Sequence, residues 1–163
     1  ALGNGSGVAS NYSLSSGTFS VTARPVTLTT NRFFDNTKNV NATNLSVTYN
    51  NLVGSETLTL TGLGSVSSEN VASGQQAVTL GTLSLADNTG VASNYSLTSA
   101  TLDINAKPIS LTGTKVYDAL TTAASGDLSI SGTVGGQNLS LTGNGTLSSD
   151  LMWEQIRQSI RQD

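Results

Sequence analysis

The residues of this chain that could do chemistry are its carboxylates, because it contains no histidine and no cysteine. That composition excludes Ser-His-Asp and Cys-His nucleophilic sets, thiolate metal sites and disulfides. A serine–lysine pair stays formally open, but Lys38, Lys107 and Lys115 stand in no Ser-x-x-Lys motif. Glycoside chemistry needs two acids converging on a cleft. Asp35, Glu56, Glu69, Asp87, Asp103, Asp118, Asp127 and Asp150 are instead scattered along the chain. Asp87-Asn88-Thr89-Gly90 offers carbonyls and one carboxylate to a calcium ion, without the spaced acids of a strong loop. An Asx-turn in a hairpin is the plainer reading. Asp35 and Asp118 each follow an aromatic residue, Phe34 and Tyr117. Either they contact a ligand or ion, or they cap the turn after a strand. Gly132-Thr-Val-Gly-Gly136 and Gly143-Asn-Gly145 have no strand-to-helix setting for a phosphate and read as turns. We therefore expect a protein that is not an enzyme and holds no cofactor. Asn-x-Ser/Thr triplets at Asn4, Asn11, Asn41, Asn44, Asn94, Asn138 and Asn144 are glycan acceptors wherever the host glycosylates.

Those residues sit in a chain that repeats. Gly7-Val-Ala-Ser-Asn-Tyr-Ser-Leu14 returns letter for letter as Gly90–Leu97, an offset of 83 residues. The offset persists: Arg24-Pro-Val-Thr-Leu-Thr29 returns as Lys107-Pro-Ile-Ser-Leu-Thr112, and Phe34-Asp35 as Tyr117-Asp118. A period this long is one small domain, not one solenoid turn. Residues 1–22 read as the end of a preceding unit, 23–105 as a complete unit and 106–150 as the first half of a third. Pro25 and Pro108 fall where one unit hands over to the next and stiffen the junction.

Within the unit the pattern has period two. Val26–Thr29, Leu45–Tyr49, Leu58–Thr61, Val78–Leu80, Leu83–Leu85, Tyr95–Leu97 and Thr101–Asn105 alternate apolar with Thr or Ser. This is the pattern of strands with one buried and one wet face. Asn, Gly and Asp separate the runs. The expectation is an all-β fold of tandem antiparallel β-sandwich, Ig-like repeats, with β-grasp-like or β-solenoid units as the alternatives. The expected core is Val26, Leu28, Phe34, Leu45, Val47, Leu58, Leu60, Val78, Leu80, Leu83, Leu85, Tyr95, Leu97, Leu102 and Ile104. Ala119–Ala124 is the only candidate for a helical turn within residues 1–150.

The two incomplete units leave open strand edges, ready to pair with neighbouring copies. A circular or head-to-tail completion, residues 1–22 filling the gap in 106–150, is one way to close them. Residues 151–163 depart from the repeat and hold the only Trp and the only Met. Leu151, Ile156 and Ile160 would line one side of a short helix. Alternatively, Met152-Trp-Glu is encoded so that a one-base shift yields Val-Gly, making the tail a frameshifted reading of repeat DNA.

Charged residues are 10% of the chain, well below the roughly 25% usual for soluble domains. A net charge of −3 argues against nucleic acid, which requires a basic patch. No apolar run approaches the roughly 20 residues of a membrane span, and no basic-then-apolar leader is visible at the first residues. The lack of cysteine suits a long exported bacterial chain.

Lys115-Val-Tyr-Asp-Ala-Leu-Thr-Thr-Ala123 resembles the Lys-Val-Tyr-Asp-Gly-Thr-Thr signature of the bacterial YDG repeat. Asn94-Tyr-Ser-Leu through Leu102-Asp-Ile-Asn-Ala-Lys-Pro108 is similar to that family's unit ending. The resemblance covers nearly all of residues 1–150. It departs at Ala119, where the family has glycine, and at Phe34-Asp35-Asn36. It implies a stalk or adhesive repeat of a Gram-negative surface protein, similar to the two-partner-secretion adhesins of the filamentous-haemagglutinin type. The implied location is extracellular or outer-membrane-associated. The implied partner is a host or bacterial surface glycan or protein. A carbohydrate-binding module is the alternative, if Tyr12, Phe33 or Tyr49 form an exposed aromatic face.

Overall fold

A computed structural model describes residues 1–71 and 75–147. The chain is all-β, built of short strands in several small sheets. The tail at 151–163, with both readings given to it, lies outside the described residues. So does Asp150.

The complete unit contains β1 (Arg24–Phe33), β2 (Asn39–Asn41), β3 (Ser46–Asn50), β4 (Thr59–Thr61), β5 (Leu63–Ser65), β6 (Gln76–Ala77), β7 (Ser84–Ala86) and β8 (Tyr95–Asn105). Four of them form one sheet in the order β3-β1-β8-β6, while β2 pairs with β5 and β4 with β7. The flanking pairs of the sheet are antiparallel, Leu28 facing Tyr49 and Gln76 facing Leu102. The central pair is parallel: β1 runs beside β8 from Arg24–Tyr95 to Phe33–Asn105. The antiparallel expectation fails here for a physical reason. Alternation tells which face a residue takes and not which way the neighbouring strand runs. A parallel pair needs a long crossover, and residues 34–94 supply it.

Tyr95–Leu97 and Thr101–Asn105, expected as two strands, are one. The register slips between Val26 and Thr27, leaving Thr98 as an extra residue on β8. The bulge reverses the alternation, so that Tyr95 points inward before it and Ala100, Leu102 and Ile104 after it. The Thr98 hydroxyl donates to the Val26 carbonyl at 3.0 Å.

One core cluster joins the inward residues of the sheet, Val26, Leu28, Leu102 and Ile104, to Val40, Leu58, Val66 and Leu83 from the two ribbons and their flanks. Each of these side chains gains about 1.5–3 kcal/mol on leaving water. All fifteen expected core residues are in the cluster or packed against it. Val40, Val66 and Ala100 are additions. So are two polar residues, Thr30 and Arg32, which continue the inward face of β1. The Thr30 hydroxyl donates to the Thr101 carbonyl at 2.8 Å, which satisfies it inside the sheet.

The third unit repeats the opening half. It has β9 (Ser110–Gly113), β10 (Thr122–Ala124), β11 (Leu128–Ser131) and β12 (Asn144–Thr146). β9 pairs with β11 and β10 with β12, as β1 does with β3 and β2 with β5. The helical turn expected at Ala119–Ala124 ends instead in β10. Among the described residues the helical turns are short 3-10 segments at Ala9–Asn11, Ala42–Asn44, Ala92–Asn94 and Ser125–Asp127.

Candidate functional site

The aspartates that recur after an aromatic each belong to a side-chain clip. Arg32, near the end of β1, points inward and is buried. Its guanidinium donates to the Thr37 carbonyl through Nη2 and to the Asn39 carbonyl through Nη1, each at 2.5 Å. Nη1 also lies 3.2 Å from the Asp35 carboxylate. The other oxygen of Asp35 accepts the Thr37 N–H at 3.2 Å. Between them Asn36 adopts φ 60°, the left-handed region. The turn after β1 is thus folded over a cation and pinned by an acid.

The third unit builds the same clip from different residues. Lys115 Nζ lies 2.8 Å from Asp118 Oδ1, which also accepts the Leu120 N–H at 3.0 Å. Nζ donates to the Leu120 and Thr122 carbonyls at 3.1 and 2.6 Å. Ala119 adopts φ 61°. In both units the acid lies three residues beyond the cation, the left-handed residue four, and the two carbonyls five and seven. The Lys115 hydrogen bond, then that of the Leu120 N–H, holds the Asp118 carboxyl below the ordinary carboxylate range.

Of the two readings given to Asp35 and Asp118, this geometry is that of a capped turn. The spacing of the Lys-x-x-Asp-Gly signature also acquires a physical meaning. Lysine is the pin, aspartate its partner, and glycine the residue that enters the left-handed region without a Cβ penalty. Asn36 is suited to that region, whereas Ala119 is strained there. Arg32 was missed as a functional position, and Lys115 was noted only as a lysine without a Ser-x-x-Lys motif and as the first residue of the signature. The signal was available, since both are basic and lie 83 residues apart.

Asp87 and Asn88 sit in the turn that leads to Ala92–Asn94. Asp87 Oδ1 accepts the Ala92 N–H at 2.7 Å, and the Asn88 N–H donates to the Gly90 carbonyl at 3.1 Å. Among the described residues no three acidic side chains gather into a cluster that could hold a metal. Nearby, the Tyr95 hydroxyl donates to Glu56 and accepts the Val53 N–H at 3.2 Å. The bond to Glu56 raises the Tyr95 hydroxyl above its ordinary value.

The sequon asparagines Asn11, Asn44, Asn94 and Asn138 are exposed. Asn41 is half-buried, and its side-chain oxygen accepts the Thr43 N–H at 3.1 Å, capping a 3-10 turn. The aromatics are divided. Phe33 and Tyr12 are exposed, whereas Tyr49 packs against the core, where burial raises its hydroxyl value. Among the described residues no helix is long and apolar enough to cross a membrane.

The family described as the YDG domain matches residues 20–102, a span of one repeat length and just over half of the chain. No curated protein and no solved structure matches the chain.

Proposed function

The chain belongs to the YDG domain family, and from that premise we propose that it is a structural and adhesive repeat segment of a bacterial surface or secreted adhesin. Its setting is extracellular, on or near the outer membrane of a Gram-negative cell, with export by two-partner secretion. The observation that supports this most is the recurrent clip. The residues that make the family signature are engaged by one another and by their own turn, as expected of a module copied for its shape. The chain passes from β8 to β9 through four residues, 106–109, one of them Pro108, and so short a connection favours a stiff array. Such an array acts as a stalk or as an interaction surface for a glycan or protein.

The unit itself is better described by the β-grasp-like alternative than by an Ig-like sandwich. What favours it is the sheet order, with the first and last strands parallel at the centre and antiparallel strands at both edges. Small-angle scattering on chains of one, two and four units tests the stalk. The maximum dimension is expected to grow in proportion to unit number, and a dimension that saturates would overturn it. The carbohydrate-binding alternative rests on exposed Phe33 and Tyr12. A glycan-array screen tests it, and the absence of binding would overturn it.

A further inference from the structure

The complete unit and the third unit touch through the clip. The Phe34 N–H donates to the Asn105 carbonyl at 2.9 Å, so the turn after β1 sits beside the point where the chain leaves the complete unit. From there the chain runs through Pro108 into β9, whose partner β11 is followed by a turn over residues 132–138. That turn comes back to the clip. Gln137 Nε2 donates to Asn36 Oδ1 at 3.2 Å, across 101 residues of chain. A Cβ on Gly135 would lie 3.6 Å from Asn36 Nδ2, and one on Gly132 3.6 Å from the Pro108 carbonyl oxygen.

The turn's conformation comes with the unit and is not imposed by this contact. Leu58-Thr-Leu-Thr-Gly62 returns as Leu139-Ser-Leu-Thr-Gly143, an offset of 81 residues, which makes residues 51–57 the same turn in the complete unit. Asn51 and Gly132 share a left-handed φ, 79° and 91°, as do Gly54 and Gly135, 55° and 61°. The Glu56 N–H donates to the Val53 carbonyl and the Gln137 N–H to the Val134 carbonyl, each at 3.1 Å. Yet a Cβ on Gly54 would meet nothing within 4 Å. The unit's own folding therefore leaves that corner open, and at Gly135 it is Asn36 of the preceding unit that comes up against it.

We propose that the clip turn is a docking surface between units, on which the Asn36 side chain latches the turn 132–138 of the unit that follows. The joint is then held at two points, the covalent link through Pro108 and the Asn36–Gln137 hydrogen bond. A joint held at one point swivels; held at two, its angle is fixed. The clip leaves this side chain free for the task. Arg32 and Asp35 hold the turn, and among the described residues the Asn36 side chain bonds to nothing but Gln137. The left-handed position can therefore change its side chain without loss of the clip, and that side chain decides whether the joint is latched. Asparagine presents an amide there, whereas Ala119 at the same position of the next clip presents no polar group. The inference rests on the reading of the chain as a stiff array, whose angle between units it assigns to one residue.

The absence of cysteine makes a clean test, because nitroxide labels go only where a cysteine is introduced. Thr48→Cys on β3 and Ser129→Cys on β11 place one label on an exposed strand position of each unit. Double electron–electron resonance on the full chain then reads the distance between units, and a single narrow distribution is expected. Gln137→Ala, which leaves the clip untouched, and Asn36→Gly, which keeps its backbone, should each broaden it. The ratio of latched to free joints should fall roughly two- to tenfold, the range of one net hydrogen bond. Both together should do no more than either alone, since they remove one shared contact. Asn36→Asp keeps the acceptor and should keep the narrow distribution. A broad distribution before any of these changes, or one that neither Gln137→Ala nor Asn36→Gly alters, would overturn the latch. So would broadening by only one of the two, or by each independently of the other. A narrow joint in chains whose scattering dimension saturates would instead overturn the stalk and leave the latch standing.

Discussion

Asn4 and Asp87 make the same hydrogen bond. Each side-chain oxygen accepts, at 2.7 Å, the N–H of the alanine five residues on, Ala9 or Ala92. A neutral amide and a carboxylate are interchangeable at this turn, so the negative charge of Asp87 is not what the position requires. Asp87→Asn is expected to change stability by less than about 0.5 kcal/mol, and Asp87→Ala to cost about 1 kcal/mol, the usual value of a cap. Thermal melts with calcium and with chelator check this. A calcium-dependent rise in melting temperature that Asp87→Asn abolishes would support the calcium reading.

The left-handed position of the clip predicts an order among variants. Asn36→Gly should be nearly neutral, since asparagine already tolerates φ 60°. Asn36→Ala should destabilise by about 1 kcal/mol. Ala119→Gly should stabilise its own turn, read as slower amide exchange at Leu120 and Thr122. Denaturant melts of the Asn36 pair test the order, and Ala equal to Gly would show that the backbone there carries no strain.

The pin predicts an asymmetry between conservative and apolar replacement. Arg32 Nε is buried without a hydrogen-bond partner among the described residues, while lysine makes the same clip in the next unit. Arg32→Lys should therefore be tolerated within about 1 kcal/mol. Arg32→Met strands two carbonyls and the Asp35 carboxylate and should cost about 3 kcal/mol. Equilibrium unfolding of the two variants compares them, and equal losses would mean that volume, not charge, holds the turn.

The Tyr95–Glu56 bond predicts an alkaline limit. The fold raises the Tyr95 hydroxyl value, the Glu56 bond being the main cause, so the neutral form is the one the fold favours. Its contribution is fully present below the unfolded value of about 10 and is lost as pH climbs through the raised folded value. Melting temperature should fall across that window, and Tyr95→Phe should flatten the fall. An unchanged alkaline slope in Tyr95→Phe would assign the loss to other groups.

What the sequence revealed and what it hid follow from the same chemistry. Alternation marked Val26–Thr29 as a strand but stopped there, because the next inward residues are Thr30 and Arg32. Polar side chains satisfied inside a sheet look like wet ones. Val40 escaped notice as a lone apolar residue between two asparagines. The Thr98 bulge split β8 into two apparent strands by resetting its period. The candidate site was half legible. Asp35 and Asp118 stood out by recurrence, but each accepts a backbone N–H, of Thr37 or Leu120, and its cation Arg32 or Lys115 donates to backbone carbonyls, groups that leave no mark in a sequence.

The parallel pairing of β1 and β8 has a mechanical consequence. The chain enters the unit at Arg24 and leaves it at Asn105, at opposite ends of the paired strands. Tension carried through successive units therefore runs along both strands. It loads their ladder of hydrogen bonds in shear, all at once, where an antiparallel hairpin would peel open bond by bond. A segment wired this way resists traction along its length while its short outlying ribbons stay outside the line of force.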